Sequence, residues 1–125
     1  MNSFEELEGW KECRQLKIYI SKLSKTFSLD EKYRLTDQII RSSRSITANI
    51  AEGFGRFHFQ ENIQYCRQAR GSLFETLEHF YTAFDENYID DKVVLEFKGL
   101  FEKCLKLLNG YIAYLLKAKL GNNNK

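Results

Sequence analysis

Apolar residues recur at helical steps in four blocks of this chain, separated by polar or glycine-bearing breaks. In residues 4–27, Phe4, Leu7, Trp10, Leu16, Ile18, Tyr19, Leu23 and Phe27 step mostly by three or four. That spacing lays one apolar face along a helix and leaves Lys11, Glu12, Lys17 and Lys22 to solvent. Gly9 weakens the start and marks a lead-in turn. Ser28 with Glu31 three residues on has capping-box spacing, which places a second helix from about Asp30 to Glu52. Its stripe is Leu35, Ile39, Ile46 and Ile50, with Ser42 or Ser43 filling the missing apolar turn. A third helix is expected from Phe59 to Glu86, through Phe59, Ile63, Cys66, Ala69, Leu73, Leu77, Phe80 and Phe84, close to the heptad spacing of bundle packing. Asp90 and Asp91 suit the start of a fourth helix, which continues to Leu120 with the broadest apolar face of the four.

Long helices joined by short turns run antiparallel. The expected fold is therefore all-α: one antiparallel up-down-up-down four-helix bundle over residues 1–120. The polar stretch 121–125 is expected to be a frayed tail. The absence of proline fits uninterrupted helices.

One stretch breaks the amphipathic pattern. From Arg41 to Arg56 the side chains are mostly small: Ser42, Ser43, Ser45, Thr47, Ala48 and Ala51. Small side chains let another backbone come close, and the hydroxyls and Asn49 then need hydrogen-bond partners. Gly53 and Gly55 are expected to end this helix through the left-handed cap conformation. Gly71 and Ser72 suggest a second place of close approach. The expected polar network comprises Arg41, Asn49, Glu52, Ser72 and Glu75.

Composition narrows the function classes. The chain has 125 residues, 43% hydrophobic and 29% charged, as in folded globular proteins. Three widely spaced cysteines (Cys13, Cys66, Cys104) argue against a disulfide framework and suit a reducing compartment. The acidic start has no apolar run of the signal-peptide kind, and no window is apolar enough for a membrane span. A cytoplasmic location is the expectation. The net charge of +2 conceals unevenness. Residues 33–71 carry six arginines against three acids, residues 72–91 six acids and no lysine or arginine, and residues 92–125 seven lysines against two acids. Such polarity suits charge-directed assembly as readily as nucleic-acid binding.

Tests for chemistry come out negative. A di-iron bundle needs Glu-x-x-His twice, but Thr76 precedes His79 by three residues and Gly55 precedes His58. Gly53-Phe-Gly-Arg56 follows a helix and lacks the Gly-Lys-Ser/Thr of a phosphate loop. His58 reads as a capping or surface residue, with a phosphate contact as the lesser alternative, and His79 as a packing or surface residue. No metal, cofactor, catalytic group or small-molecule substrate is expected, and the chain is read as a non-enzyme. The cations leave two readings open. Arg44, Arg56, Arg67, Arg70, Lys103 and Lys106 are candidate contacts to nucleic-acid phosphates, with Arg44 and Arg56 favoured to face outward. Alternatively the arginines pair with Glu52 and Glu75, and the lysines of the fourth helix form a solvated face. The aromatics, at helical spacing, read as core or interface rather than as platforms for bases. Their number exceeds what a narrow bundle buries, which points to oligomerisation.

Three segments carry a resemblance: Leu35-Thr-Asp-Gln-Ile-Ile-Arg41, Ser45-Ile-Thr-Ala-Asn-Ile-Ala-Glu-Gly-Phe-Gly-Arg56 and Ala69-Arg-Gly-Ser-Leu-Phe-Glu75. With Phe4-x-x-Leu7-x-x-Trp10 and the Asn87-Tyr-Ile89 turn, they resemble the bacterial four-helix bundle family encoded in intervening sequences of 23S ribosomal RNA genes. The chain departs from that pattern at Arg70, and at Phe57-His58, where small polar residues are usual. The resemblance implies a bundle that assembles as a ring, typically a homopentamer. It also implies a distant similarity to accessory proteins of diversity-generating retroelements, which associate with nucleic acid and a reverse transcriptase. The leading expectation is thus an oligomeric accessory protein that binds structured RNA, ribosomal RNA included, through Arg/Lys contacts to phosphates. The competing one is a protein–protein adaptor ring that binds no nucleic acid.

Overall fold

The structure, a computed structural model, describes residues 3–123. Its helices are α1 (Glu8–Ser24), α2 (Leu35–Gly55), α3 (Phe59–Asp85) and α4 (Asp91–Asn123), with single 3-10 turns at Phe4–Glu6 and Leu29–Glu31 and no strand among the described residues. Each helix packs on the next and α1 closes against α4, while the diagonal pairs make no close backbone approach. This is an up-down-up-down four-helix bundle. The 33 residues of α4 span about 50 Å at 1.5 Å per residue, which makes the molecule elongated.

The apolar stripes meet along the axis. Leu16 and Ile20 of α1, Ile39, Ile46 and Ile50 of α2, Ile63 and Leu73 of α3, and Phe97 and Leu108 of α4 are buried. The Phe80 and Phe97 rings stack at 4.0 Å between α3 and α4. All three thiols are buried. Burial raises Cys66 to about 11, while Cys13 is pushed up by its hydrogen bond to Cys104 and by burial. All three pack in the core as small hydrophobes.

Several element boundaries differ from the sequence expectation, each for a local reason. The capping box at Ser28 closes only one 3-10 turn: its hydroxyl accepts from the Asp30 N–H at 3.3 Å, and α2 starts at Leu35 after Arg34 leaves the helical region (φ −124°, ψ −109°). Glu31 does not reach back to Ser28, because its carboxylate accepts the Tyr88 hydroxyl at 3.0 Å, tying the α1–α2 connection to the α3–α4 turn. Gly53 and Gly55 both keep helical backbone, and α2 runs through them. The left-handed residue is Phe57, φ 55°. On α3 the fully buried positions include Thr76 and Ala83, whereas Leu77 and Phe84 are only partly covered. Helix α4 continues through residues 121–123 of the expected tail; residues 124 and 125 lie outside the described ones.

The two sharp turns each hold a non-glycine residue at a left-handed position. After α3, Asn87 (φ 63°) places the Tyr88 N–H on the Ala83 carbonyl and its own N–H on the Phe84 carbonyl, both at 3.0 Å. This is a Schellman cap, with asparagine at a left-handed position that it tolerates well. After α2, the left-handed residue is Phe57, whose N–H reaches the Phe54 carbonyl at 3.3 Å, and a bulky side chain tolerates that backbone poorly.

Candidate functional site

One side of the small-residue stretch of α2, with Ser42 and Ser45, packs on α3 in the most extensive helix pair of the bundle. The Ser42 and Thr76 hydroxyls lie 2.9 Å apart, as do those of Ser45 and Ser72. Asn49 Nδ2 donates to the Ser45 carbonyl at 2.9 Å and to its hydroxyl at 3.0 Å, and Thr76 donates to the Ser72 carbonyl at 2.8 Å. At the end of this ladder Gly53 lies against Asn62 and Tyr65, so close that a Cβ would sit 2.8 Å from Tyr65 Cβ and 3.1 Å from the Asn62 carbonyl oxygen. Gly53 is thus a contact glycine rather than a cap. Gly71, by contrast, has open space where its Cβ would be.

Three residues expected in this network lie outside it. Arg41, with a 78% exposed side chain, pairs with Asp37 of its own helix at 3.6 Å. Glu52 pairs with Arg56 at 3.1 Å, and Glu75 with His79 at 3.1 Å. Each stands one position before a seam residue (Ser42, Gly53, Thr76), and one position turns a helical side chain by about 100°. The seam is therefore a neutral hydroxyl-and-amide ladder with the charges outside. Every buried side-chain polar atom among the described residues has a partner.

The candidate cations sort by partner. Arg44 and Arg67 are exposed, with no carboxylate in ion-pair reach among the described residues. Arg70 donates to Asn109 Oδ1 at 2.8 Å and pins α3 to α4. Lys103 pairs with Glu12 at 3.1 Å and joins α4 to α1, while Lys106 is exposed beside the α1–α4 groove at Trp10. Arg56 faces outward but is engaged by neighbouring protein groups. Its guanidinium meets Glu52 at 3.1 Å, Glu61 at 3.8 Å and the Tyr65 hydroxyl at 2.8 Å, and Tyr65 and Glu52 raise its pKa. It is a clasp across the α2–α3 turn, already satisfied by protein groups.

Two concave surfaces bear on the candidate residues. The first is a shallow groove of about 600 Å³ between α1 and α2. Its floor is Thr47, Ala48 and Ala51, its wall includes Trp10 and Ile18, and Lys17 and Arg44 stand on its rim. None of its lining residues is acidic. Arg14 lies over the Trp10 ring, 5.6 Å from its centroid, at the same end. Lys17 and Arg14 were missed by sequence reasoning, since they join Arg44 only once α1 and α2 are side by side.

The second is an open cavity of about 690 Å³ at the α2–α3 turn. Phe54, Phe57 and Phe59 line it from the turn, and Tyr111 and Tyr114 from α4, with Asn62 among them. Asn62 Nδ2 donates to the Tyr111 hydroxyl at 3.0 Å, and the Tyr111 and Tyr114 rings lie 6.1 Å apart and nearly parallel, at 14°. His58 also lines the cavity and makes no side-chain cap bond to α3. Phe57 is 85% exposed and Tyr114 63%, so neither serves the core of a single bundle.

Among the described residues no group of three histidine, cysteine, aspartate or glutamate side chains is placed to hold a metal, and no helix is long and apolar enough to cross a membrane.

Comparison with known proteins accords with this architecture. No curated protein matches the chain. Among solved structures, the chain is similar to a protein of unknown function from the S23 ribosomal protein family of Bacteroides thetaiotaomicron. The TM-score is 0.77 at 23% identity, over 84% of this chain and 95% of that one. At that identity the likeness speaks for the fold alone. The pattern of the 23S rRNA-intervening sequence proteins extends over residues 5–110, from the first 3-10 turn through most of α4. The chain belongs to the 23S rRNA-intervening sequence protein family.

Proposed function

We propose that this protein is a non-enzymatic, self-associating helical bundle that binds structured RNA through arginine and lysine contacts to phosphates. The observation that carries the reading is the α1–α2 groove, whose rim is Lys17 and Arg44 and whose lining contains no carboxylate. Small residues on its floor let a sugar–phosphate backbone approach, and the guanidinium of Arg44 is free to grip a phosphate with two donors. Such contacts position a nucleic acid without reading its sequence, and they act through counterion release. The adaptor alternative, in which the charges serve ring assembly and partner recruitment, would gain from Arg41, Arg67 and Arg70 buried against Glu52 and Glu75. Arg41, Arg67 and Arg70 have no such partners.

Fluorescence anisotropy with ribosomal RNA fragments over a salt series tests the proposal. Affinity should fall steeply with salt, and Arg44→Ala should weaken binding and flatten the slope by about 1. Arg56→Ala should leave the slope unchanged, because Glu52 and Glu61 already neutralise that guanidinium. Absence of binding at low salt would remove the proposal.

A further inference from the structure

The turn between α2 and α3 contains a feature that the bundle does not need. Phe57 holds a left-handed backbone, φ 55°, although it is not glycine and its ring is 85% exposed. A bulky residue at positive φ is a genuine outlier, and such strain concentrates where a side chain is held for a task. The packing offers little in return: the nearest ring, Phe54, is 6.2 Å away and tilted by 59°. After α3 the left-handed position holds asparagine, which tolerates that backbone, so a left-handed turn in this fold does not require a bulky ring.

Phe57 stands at the mouth of the 690 Å³ cavity, a volume within the range of small-ligand sites. The lining is dominated by flat rings, with Phe59 36% and Tyr114 63% exposed. Its polar elements are His58 and the Asn62–Tyr111 pair: the Tyr111 hydroxyl accepts from Asn62, and its own proton has no acceptor among the described residues. On its α4 side the charge favours a polyanion: from Lys106 to Lys119 the helix carries three lysines and no acid, and the carboxylates of Glu52 and Glu61 at the turn are turned to Arg56, while Glu6 and Glu8 flank the lining residue Leu7.

We infer that this cavity is a site for an unpaired RNA base, inserted between the Phe57 and Tyr114 rings with its edge toward the Tyr111 hydroxyl. Stacking on aromatic side chains is how proteins hold splayed-out bases of loops and ends, and the neighbouring lysines supply contacts for the flanking phosphates. The inference rests on the RNA-binding reading above and adds the class of RNA: one presenting an unpaired nucleotide, not a continuous duplex.

The test uses an RNA hairpin with 2-aminopurine at an unpaired loop position, a fully paired duplex of the same stem, and free 2-aminopurine riboside. Binding should quench the loop fluorophore and favour the hairpin over the duplex. Phe57→Gly, which relieves the backbone strain, and Tyr114→Ala, on an exposed face of α4, should each weaken hairpin binding roughly tenfold without changing the salt slope. Equal affinity for hairpin and duplex with unquenched fluorescence would overturn the base site and leave phosphate binding standing. If no RNA binds at low salt, riboside quenching that Phe57→Gly abolishes upholds the base site alone, and its absence overturns both. A lower oligomer mass for Phe57→Gly in light scattering, with hairpin binding unaltered, would assign the cavity to a second copy of the chain and overturn the inference.

Discussion

Two glycines separate what a residue's type says from what its neighbours decide. Gly53 lies on α2 where a Cβ would come within 2.8 Å of Tyr65 Cβ, an atom too near the backbone to move aside. Gly53→Ala should therefore push α2 and α3 apart and cost about 2 kcal/mol, even after the better helix propensity of alanine. Gly71, inside α3 with open space around it, should respond oppositely, with Gly71→Ala gaining up to about 1 kcal/mol. Urea unfolding midpoints at one protein concentration decide the matter, and equal effects would refute the contact role of Gly53. Both glycines were visible in the sequence. Their roles were not, because residue type does not say which face of a helix meets a partner.

At the scale of elements, α2 and α3 are joined by hydroxyls and amides rather than by a continuous apolar stripe. The periodicity exposed this directly, since Ser42 falls where the Ile39–Ile46 stripe lacks an apolar residue. Its partner was not legible, because Thr76 sits beside Leu77 on a helix that offers several apolar choices. Helix rotation chose Thr76, and the two hydroxyls meet at 2.9 Å in a buried setting. A double-mutant cycle with Ser42→Ala and Thr76→Val should show a coupling of about 0.5–1 kcal/mol in thermal or urea unfolding. Strict additivity would mean that each hydroxyl is satisfied independently through its own backbone carbonyl, Ile39 for Ser42 and Ser72 for Thr76. The charged residues beside these positions were easy to misplace. Arg41, Glu52 and Glu75 are each one residue away from the seam and reach water instead.

For the whole molecule, surface apolarity and charge point to assembly. On α4, Leu95 and Leu120 are each more than 60% exposed, as are Leu29 and Tyr33 at the α1–α2 connection. A single bundle leaves this surface in water, where its burial in an interface would contribute about 25 cal/mol per Å². Light scattering should report a particle several times the 14.8 kDa chain mass at micromolar concentration. The acidic segment 72–91 and the basic segment 92–125 supply opposite charges for such contacts, so the assembly should loosen as salt rises. A 14.8 kDa species alone at micromolar concentration would overturn the expectation.

The amino-acid sequence by itself determined the four helices, their antiparallel order, the small-residue seam and the family. These follow from local rules: the period of apolar residues, the length of the breaks and a contiguous motif on one helix. Tertiary structure decided which cations are free. Arg44 and Arg56, equally prominent at the two ends of the motif, part company because Glu61 and Tyr65 of α3 fold back onto Arg56, while Arg44 looks across to Lys17 of α1. It also decided where the strain falls, on Phe57 rather than on a glycine. Partner choice depends on the rotation and proximity of helices far apart in sequence, and hydrophobic periodicity records the rotation of each helix without recording what lies opposite.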